Sequence, residues 1–427
     1  MSEHAKDNYR QIQDLLKFID EGLDKAKIPP KAKGLIVEEL DELRKFVLDA
    51  RPARIAIVGR RGAGKSSLIN AIFGEMRAEV GDVKARTGAG KWHAYSSEAG
   101  TLEILDTRGL GEADQPEEAF MERTAMEEVQ ASIQEKCPDA ILFLSKAKEV
   151  SSRIDEDIRQ LRELKQSVMQ HHDYHIPVIG VVTQVDELSP KSVDKPPFDH
   201  EAKQKNIADA EAVLAEKLTE VAENPVKIIP VSAYFEMEGD QIVYDTRWNI
   251  DTLVDYLIEQ LPNDAQMILA KLAKVKSVQK KLARKVGRNI SGITGLIGAN
   301  PIPMADLPVI TGLQMAMIST IGLLGGKRLN KKDLKEFLSA LGLNVAAGFA
   351  FRQVARQLVR IFPGAGSVIS GVIASSGTYA LSEAAIAYFI DKKSLSSVRE
   401  IYHHKFEQKR KQEEERVEDE KNDEPQV

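Results

Sequence analysis

The sequence predicts an α/β domain with a mostly parallel sheet and helices on both faces, preceded by N-terminal helices and followed by an all-α, Gly/Ala-rich domain. Three observations predict it. Between residues 54 and 262, short and almost unbroken apolar runs alternate with polar helical stretches, the pattern of strands buried on both faces of a sheet. A glycine-rich loop joins the first of these runs to a helical stretch. Beyond residue 263 the strand-like runs cease and long Gly- and Ala-rich apolar stretches replace them.

The chain has 427 residues, 43% hydrophobic and 29% charged. That is room for two or three domains at ~100–200 residues each, and enough apolar matter to bury a core. The expected divisions are an N-terminal helical segment (1–50), the α/β domain (51–262), a hydrophobic helical domain (263–400) and a charged tail (401–427). The first ten residues are charged and run into an amphipathic pattern, so no secretory signal is expected. Ile12, Leu15, Leu16 and Ile19 recur at helical spacing, as do Leu35, Val37, Leu40, Leu43 and Val47 after the Pro29-Pro30 break. Strands are expected at Ile55–Val58, Leu102–Leu105, Ala140–Leu144, Pro177–Val182 and Ile228–Val231, with another at Lys91–Tyr95. A helix over Asp251–Leu261 ends at Pro262. A basic helix is expected over 271–288, then apolar helical stretches over 289–326, 337–351 and 361–382. Lys405–Glu424 is almost purely charged, which predicts a solvated helix or disorder.

Net charge is −6, yet between Ala265 and Arg360 sixteen Lys and Arg stand against three acids, so a local +13 sits in a chain that otherwise carries −19. A basic segment of this kind suits an anionic surface, either of a partner or of the protein's own acidic part. A single cysteine, Cys137, excludes an internal disulfide framework and a multi-cysteine metal site, and fits a reducing cytoplasm. His171, His172 and His175 have no Cys or acidic partner at ligand spacing, and a loop or helix end is the expected setting. Trp92 and Trp248 are expected to pack rather than stack on a ligand.

The most specific signal is Gly59-Arg60-Arg61-Gly62-Ala63-Gly64-Lys65-Ser66, placed between the run Arg54–Val58 and the helical stretch Ser67–Phe73. It fits G-x-x-x-x-G-K-[ST] in the strand–loop–helix context which that pattern requires. Its glycines let successive N–H groups wrap a phosphate at a helix N-terminus. Lys65 would supply a point charge to the phosphates, and the Ser66 hydroxyl a ligand to Mg²⁺.

Four further motifs follow in order, and together they resemble the GTPase branch of P-loop proteins, specifically the Era-like, translation-factor-related class. The resemblance implies a P-loop G domain that takes GTP and Mg²⁺ and hydrolyses the nucleotide. Gly59 to Ser67, including Arg60, Gly62, Ala63 and Gly64, would cradle the phosphates. Asp106-Thr107-Arg108-Gly109 ends a strand, where Asp106 would reach Mg²⁺ through water and the Gly109 N–H would meet the γ-phosphate. Thr183-Gln184-Val185-Asp186 looks like the guanine-reading motif, with Asp186 accepting from N1–H and the 2-amino group. Ser232-Ala233 resembles the motif whose backbone touches the guanine O6. Thr87 is preferred as the switch threonine that closes over Mg²⁺, with Thr101 as the alternative.

Two departures matter. Gln184 stands where the family places a lysine along the base. Leu110 stands where signalling GTPases place a water-orienting glutamine, so unaided hydrolysis is expected to be slow. Arg60, Arg61 and Arg108 are open to two readings: solvated or paired with acids, or stabilising transition-state charge in cis or across a dimer, with Arg61 the chosen catalytic candidate. Asn300-Pro301-Ile302-Pro303-Met304-Ala305-Asp306 and the apolar helix after it are similar to a bacterial helical domain of unknown function that recurs behind such G domains. The layout also resembles immunity-related and dynamin-like GTPases, which implies homodimers or higher self-assembly, often at membranes. The basic 271–288 stretch could lie on an anionic bilayer at the inner face of a membrane or serve as a connector. Leu307–Gly326 holds 20 uncharged residues, long enough to span, but its Gly, Ser and Thr content favours a packed bundle. The basic segment lacks interleaved aromatics and any recognisable RNA-binding module, which argues against nucleic acid.

Overall fold

The structure is a computed structural model that describes residues 3–25, 30–76, 91–97, 99–107, 125–151, 154–219, 221, 225–239, 241–298, 307–327, 334, 336–338, 341 and 371–422. Thr87, Arg108, Gly109, Leu110 and the Asn300–Asp306 signature lie outside them. By internal contacts the chain divides into two compact units, Arg51–Val275 and a second made of Met1–Ala50 with Lys276–Val427.

In the first unit the strands are β1 (Ala53–Val58), β2 (Lys91–Ser97), β3 (Gly100–Asp106), β4 (Ala140–Lys146), β5 (Val178–Thr183) and β6 (Lys227–Pro230). They form one six-stranded sheet in the order β2-β3-β1-β4-β5-β6. All neighbours are parallel except β2 with β3, which pair antiparallel. The α/β expectation is therefore borne out, and the apolar runs are strands because both faces of the sheet are covered. Ala56, Val58, Leu105, Ile141 and Phe143 share one core with Val129 and Ile133 of α4 (Ala125–Glu135), Ile158 and Leu161 of α5 (Ile154–His172), and Ile207 and Leu214 of α6 (Glu201–Thr219). On the other face, α8 (Asn263–Ala273) packs on β1 and β3. It also meets α3 (Lys65–Phe73) and α7 (Ile250–Gln260). A two-stranded hairpin, β7 (Phe235–Glu238) and β8 (Gln241–Asp245), was not foreseen. Its exposed Ile242 and Val243 break the burial alternation by which a strand is read.

The start of this unit is tied to the start of α8 and to the residue before β4. The Arg51 guanidinium donates to both oxygens of Asp139 at 2.7 and 2.9 Å and to Asp264 Oδ2 at 2.7 Å, and its backbone N–H donates to the Asp264 carbonyl at 2.9 Å. Two carboxylates raise the guanidinium pKa, the Asp139 hydrogen bond contributing most.

The second unit is helical: α1 (Glu3–Lys25), α2 (Pro30–Val47), α9 (Lys276–Gly298), α10 (Leu307–Leu324), α11 (Gly371–Phe389) and α12 (Leu395–Asn422). Here the N-terminal helices join the C-terminal ones, α1 packing on α10 and α2 on α9. Ile12, Leu15, Leu16 and Ile19 are buried as expected, but Leu35 and Val37 are exposed and the buried stripe of α2 is Ile36, Leu40, Leu43 and Val47. The basic 271–288 stretch is two helices, because Lys274 takes φ 54° between α8 and α9. The apolar face of α9, including Val278, Leu282, Val286, Ile290 and Ile293, is buried, with α11 among its packing partners. Residues 309–324 of α10 and 374–389 of α11 are buried nearly all round, as central helices of a bundle are. Among the described residues no helix is long and apolar enough to cross a membrane.

Small and hydroxylic residues form the α9–α11 seam. Thr294 Oγ1 donates to Thr378 Oγ1 at 3.0 Å, and Gln314 Nε2 of α10 donates to the same hydroxyl at 2.9 Å. A Cβ on Gly287 would sit 2.6 Å from the Ser382 Cβ, so the two backbones pass too closely for any larger residue. Gly287→Leu should therefore destabilise the protein by about 1–3 kcal/mol through overpacking, read as a lower thermal midpoint by circular dichroism. An unchanged midpoint would show that the seam does not hold this pair of helices.

Candidate nucleotide-binding site

The site grows from the carboxyl ends of β1, β3 and β5. Because β1 lies between β3 and β4, the loop that leaves it emerges where the strand order reverses, the usual place for a ligand in an open α/β sheet. Register sets the neighbours: Ile57 faces Asp106 across β1 and β3, and Lys146 faces Thr183 across β4 and β5.

Residues 59–66 wrap over the N-terminus of α3. Gly59 packs so closely on β4 that a Cβ would lie 2.6 Å from the Leu144 carbonyl oxygen, and Gly64 caps α3 at φ 85°, a conformation that a side chain would strain. The Lys65 ammonium is buried and donates to the carbonyls of Gly59 and, at 3.3 Å, Arg60. Its charge is thus tied to the backbone of the loop itself. Ser66 and Ser67 are half-buried at the start of α3.

Asp106 ends β3 and is buried, and the Thr107 hydroxyl donates to the Ile57 carbonyl at 2.8 Å. This bond fixes the β3 end beside the β1 end, so Asp106 and the phosphate loop share one rim of the sheet. The Thr183 side chain is 2% exposed, and its hydroxyl donates to the Ala63 carbonyl at 2.9 Å and the Ser145 carbonyl at 3.3 Å. Gln184, at φ 57°, turns its Nε2 back to the Gly62 carbonyl at 2.8 Å. The segment 183–184 is therefore bolted to the phosphate loop from outside, and Gln184 supplies a neutral donor where the family pattern has a cation. Asp186 Oδ1 accepts from the Ser232 hydroxyl at 2.9 Å, and Ser232 in turn meets the Thr246 hydroxyl at 3.0 Å. Ser232 is buried and pairs backbone to backbone with Trp248. Asp186 and Ser232 are thus joined directly, with the buried Ala233 next in the chain.

Arg60 is half-buried and its Nε donates to Asp157 Oδ2 at 2.8 Å, whereas Arg61 is exposed. Burial raises the Asp157 carboxyl pKa above its ordinary value, against the pull of Arg60. Asp157 and a buried Lys203 on α6 are two site neighbours that the sequence reading missed. The signal was present, since each sits on the apolar stripe of its helix: Asp157 among Ile154, Ile158 and Leu161, and Lys203 four residues before Ile207. The histidines are ordinary: His171 Nδ1 lies 2.8 Å from the Ser167 carbonyl and His172 Nε2 lies 2.6 Å from that of Ile133. Among the described residues no cluster of three metal-ligating side chains occurs. Trp92 donates to the Ser132 carbonyl at 3.0 Å and Trp248 packs edge-on against Phe198 at 5.4 Å, both as packing residues.

Residues 54–184 match the family described as 50S ribosome-binding GTPase. That stretch of the chain is similar to a P-loop GTPase domain. Curated relatives agree in the same region. GTPase Der of Campylobacter hominis is 30% identical over 37% of this chain and 31% of Der. The tRNA modification GTPase MnmE of Aquifex aeolicus is 26% identical over 39% of this chain and 38% of MnmE. The chain thus spans about a third of the length of these relatives. Among solved structures, Toc33 from Arabidopsis thaliana in complex with GDP and Mg²⁺ is 17% identical, covering 60% of this chain and 94% of Toc33 at a TM-score of 0.32. Era of Aquifex aeolicus bound to GDP.AlF4⁻ is 21% identical, covering 57% and 68% at 0.33.

The brace between β5 and the loop can be tested alone. Thr183→Val keeps the shape and leaves the buried Ala63 and Ser145 carbonyls without this donor, which should cost about 1–3 kcal/mol. Urea unfolding should show an earlier midpoint for the variant; coincident curves would mean that the hydroxyl contributes nothing.

Proposed function

We propose that this chain binds GTP with Mg²⁺ and hydrolyses it to GDP and phosphate, and that nucleotide state acts on the helical unit. The observation that carries the reading is the convergence on one rim of the sheet of the 59–66 loop, Asp106, and the Asp186–Ser232 pair. The residues fit the ligand's chemistry. Backbone amides at the start of α3 and the Lys65 ammonium answer phosphate charge, and the Asp186 carboxylate answers the guanine donor pair, which adenine lacks. Ser66, Asp106 and Thr87 would hold Mg²⁺, which when bound neutralises charge on the β- and γ-oxygens. Gly109 would donate its N–H to the γ-phosphate, and Arg61, exposed at the loop, would stabilise charge as it develops.

Leu110 cannot orient water, so turnover by the isolated molecule is slow and rises on self-association, as homodimer or higher assembly, or with a partner. The setting proposed is the cytoplasm, peripheral to the inner face of a membrane. Exposed Lys276, Lys281, Lys285 and Arg288 on α9 suit an anionic lipid surface. The apolar face of α9 is buried within its own unit, so that contact would be electrostatic. A second reading is an RNA- or ribosome-associated GTPase, favoured by the names of the matching family and of MnmE. Salt-sensitive retention of RNA without liposome binding would select it.

Lys65→Ala should abolish nucleotide binding in a titration with fluorescent GDP; micromolar affinity in the variant would mean that the loop has been misread. For hydrolysis, turnover per molecule should climb across a hundredfold range of protein concentration, and Arg61→Ala should flatten that climb. A rate independent of concentration in the wild-type protein would discard self-assembly as the stimulus.

A further inference from the structure

Lys203 is wholly buried, at 0% exposure, although it carries an ammonium, whereas Lys205 on the same helix is exposed and Lys217 is half-buried beside Asp155. Its Nζ donates to the Asp186 carbonyl and to the Leu188 carbonyl, each at 2.7 Å, and lies 5.1 Å from the centre of the Phe198 ring. Burial lowers its pKa from the ordinary lysine value, opposed by Asp186 and Asp194 and reinforced by Lys148 and Lys191. A buried cation is costly unless its protons are matched by acceptors. Here the acceptors are backbone carbonyls of the very turn that presents Asp186.

The surroundings make this a brace rather than an incidental contact. Asn206, on the same α6, donates to the Ser189 carbonyl at 2.9 Å, so the helix grips the turn at successive points. Phe198 lies under the Lys203 ammonium and packs edge-on against Trp248 at 5.4 Å. Trp248 exchanges backbone hydrogen bonds with Ser232, whose hydroxyl holds the Asp186 carboxylate. Asp186 is thereby held twice, through its carbonyl by Lys203 and through its side chain by Ser232. Gln184 leaves this turn without the cation that the family places two residues earlier, and Lys203 supplies one from beneath.

We propose that Lys203 is a positioning residue for base recognition, setting the angle at which the Asp186 carboxylate meets a purine bearing an N1–H and a 2-amino group. A brace of this kind acts on discrimination between bases, whereas a purely structural lysine would alter stability and leave discrimination alone. The inference rests on the guanine reading of Asp186, and the test separates the two.

The experiment measures dissociation constants of the full chain for GDP and for inosine diphosphate, which lacks only the 2-amino group. The proteins are the wild type, Asp186→Asn, Lys203→Met and Lys203→Gln. The GDP preference over inosine diphosphate should fall at least fivefold in Lys203→Met. It should recover in part in Lys203→Gln, whose amide still offers donors to one carbonyl. If Lys203→Met does not fold, the Lys203→Gln preference must still lie below that of the wild type. Collapse of the preference in Asp186→Asn with wild-type values in the soluble Lys203 variants would overturn this proposal and leave the guanine reading standing. A preference untouched by Asp186→Asn would overturn both.

Discussion

Every distance in the candidate site depends on β1 being hydrogen-bonded on both edges, to β3 on one side and β4 on the other. A strand so held has no freedom to shift register, since a slip of one residue would turn Ala56 and Val58 out of the core that they share with α4, α5 and α6. Its carboxyl end is therefore a fixed point. The 59–66 loop leaves from that point, and the ends of β3 and β5 bring Asp106 and Thr183 to the same rim. The site is a consequence of strand order before it is a consequence of any one side chain.

Around that fixed point, buried polar groups do the fine positioning. Thr183, Gln184, Thr107 and Lys65 each direct a donor at a backbone carbonyl of the loop or of β1. An unmade hydrogen bond in such a place costs more than a made one gains, so these contacts specify one loop shape against its alternatives. The Arg51–Asp139–Asp264 cluster does the same between the start of the unit, β4 and α8. Its value lies in geometry, since removing one partner of such a half-buried cluster strands the remaining charge.

The helical unit solves a different problem. Its central helices, α10 and α11, are too apolar to be solvated, and Gly, Ser and Thr residues on them and on α9 let backbones approach until hydroxyls can bond across the seam. Apolar surface that in isolation suggested contact with lipid is taken up by neighbouring helices. The exposed side of α9 is left to its charges.

The strands and the tight 59–66 loop between β1 and α3 were legible in the sequence because each is a local pattern: a buried strand needs an apolar run, and a loop that wraps a helix start needs glycine at set spacing. Helix periodicity likewise placed Ile12, Leu15, Leu16 and Ile19 inside. Local pattern failed where burial depends on distant chain. Leu35 and Val37 are exposed because α9 covers the stripe beside them. The β7–β8 hairpin hid because its adjacent Ile242 and Val243 are both exposed and break the alternation, and the basic 271–288 stretch reads as one helix although Lys274 breaks it. Sequence alone determined the glycine pattern of residues 59–66 and the Thr183–Asp186 pattern that follows a strand. Only the tertiary structure decided that Gln184 reaches back to the loop, that Arg60 is held by Asp157, and that Lys203 is buried under Asp186. Those pairings join residues from 17 to 122 positions apart, and their partners are chosen by the packing of the sheet and its helices, which no local spacing encodes.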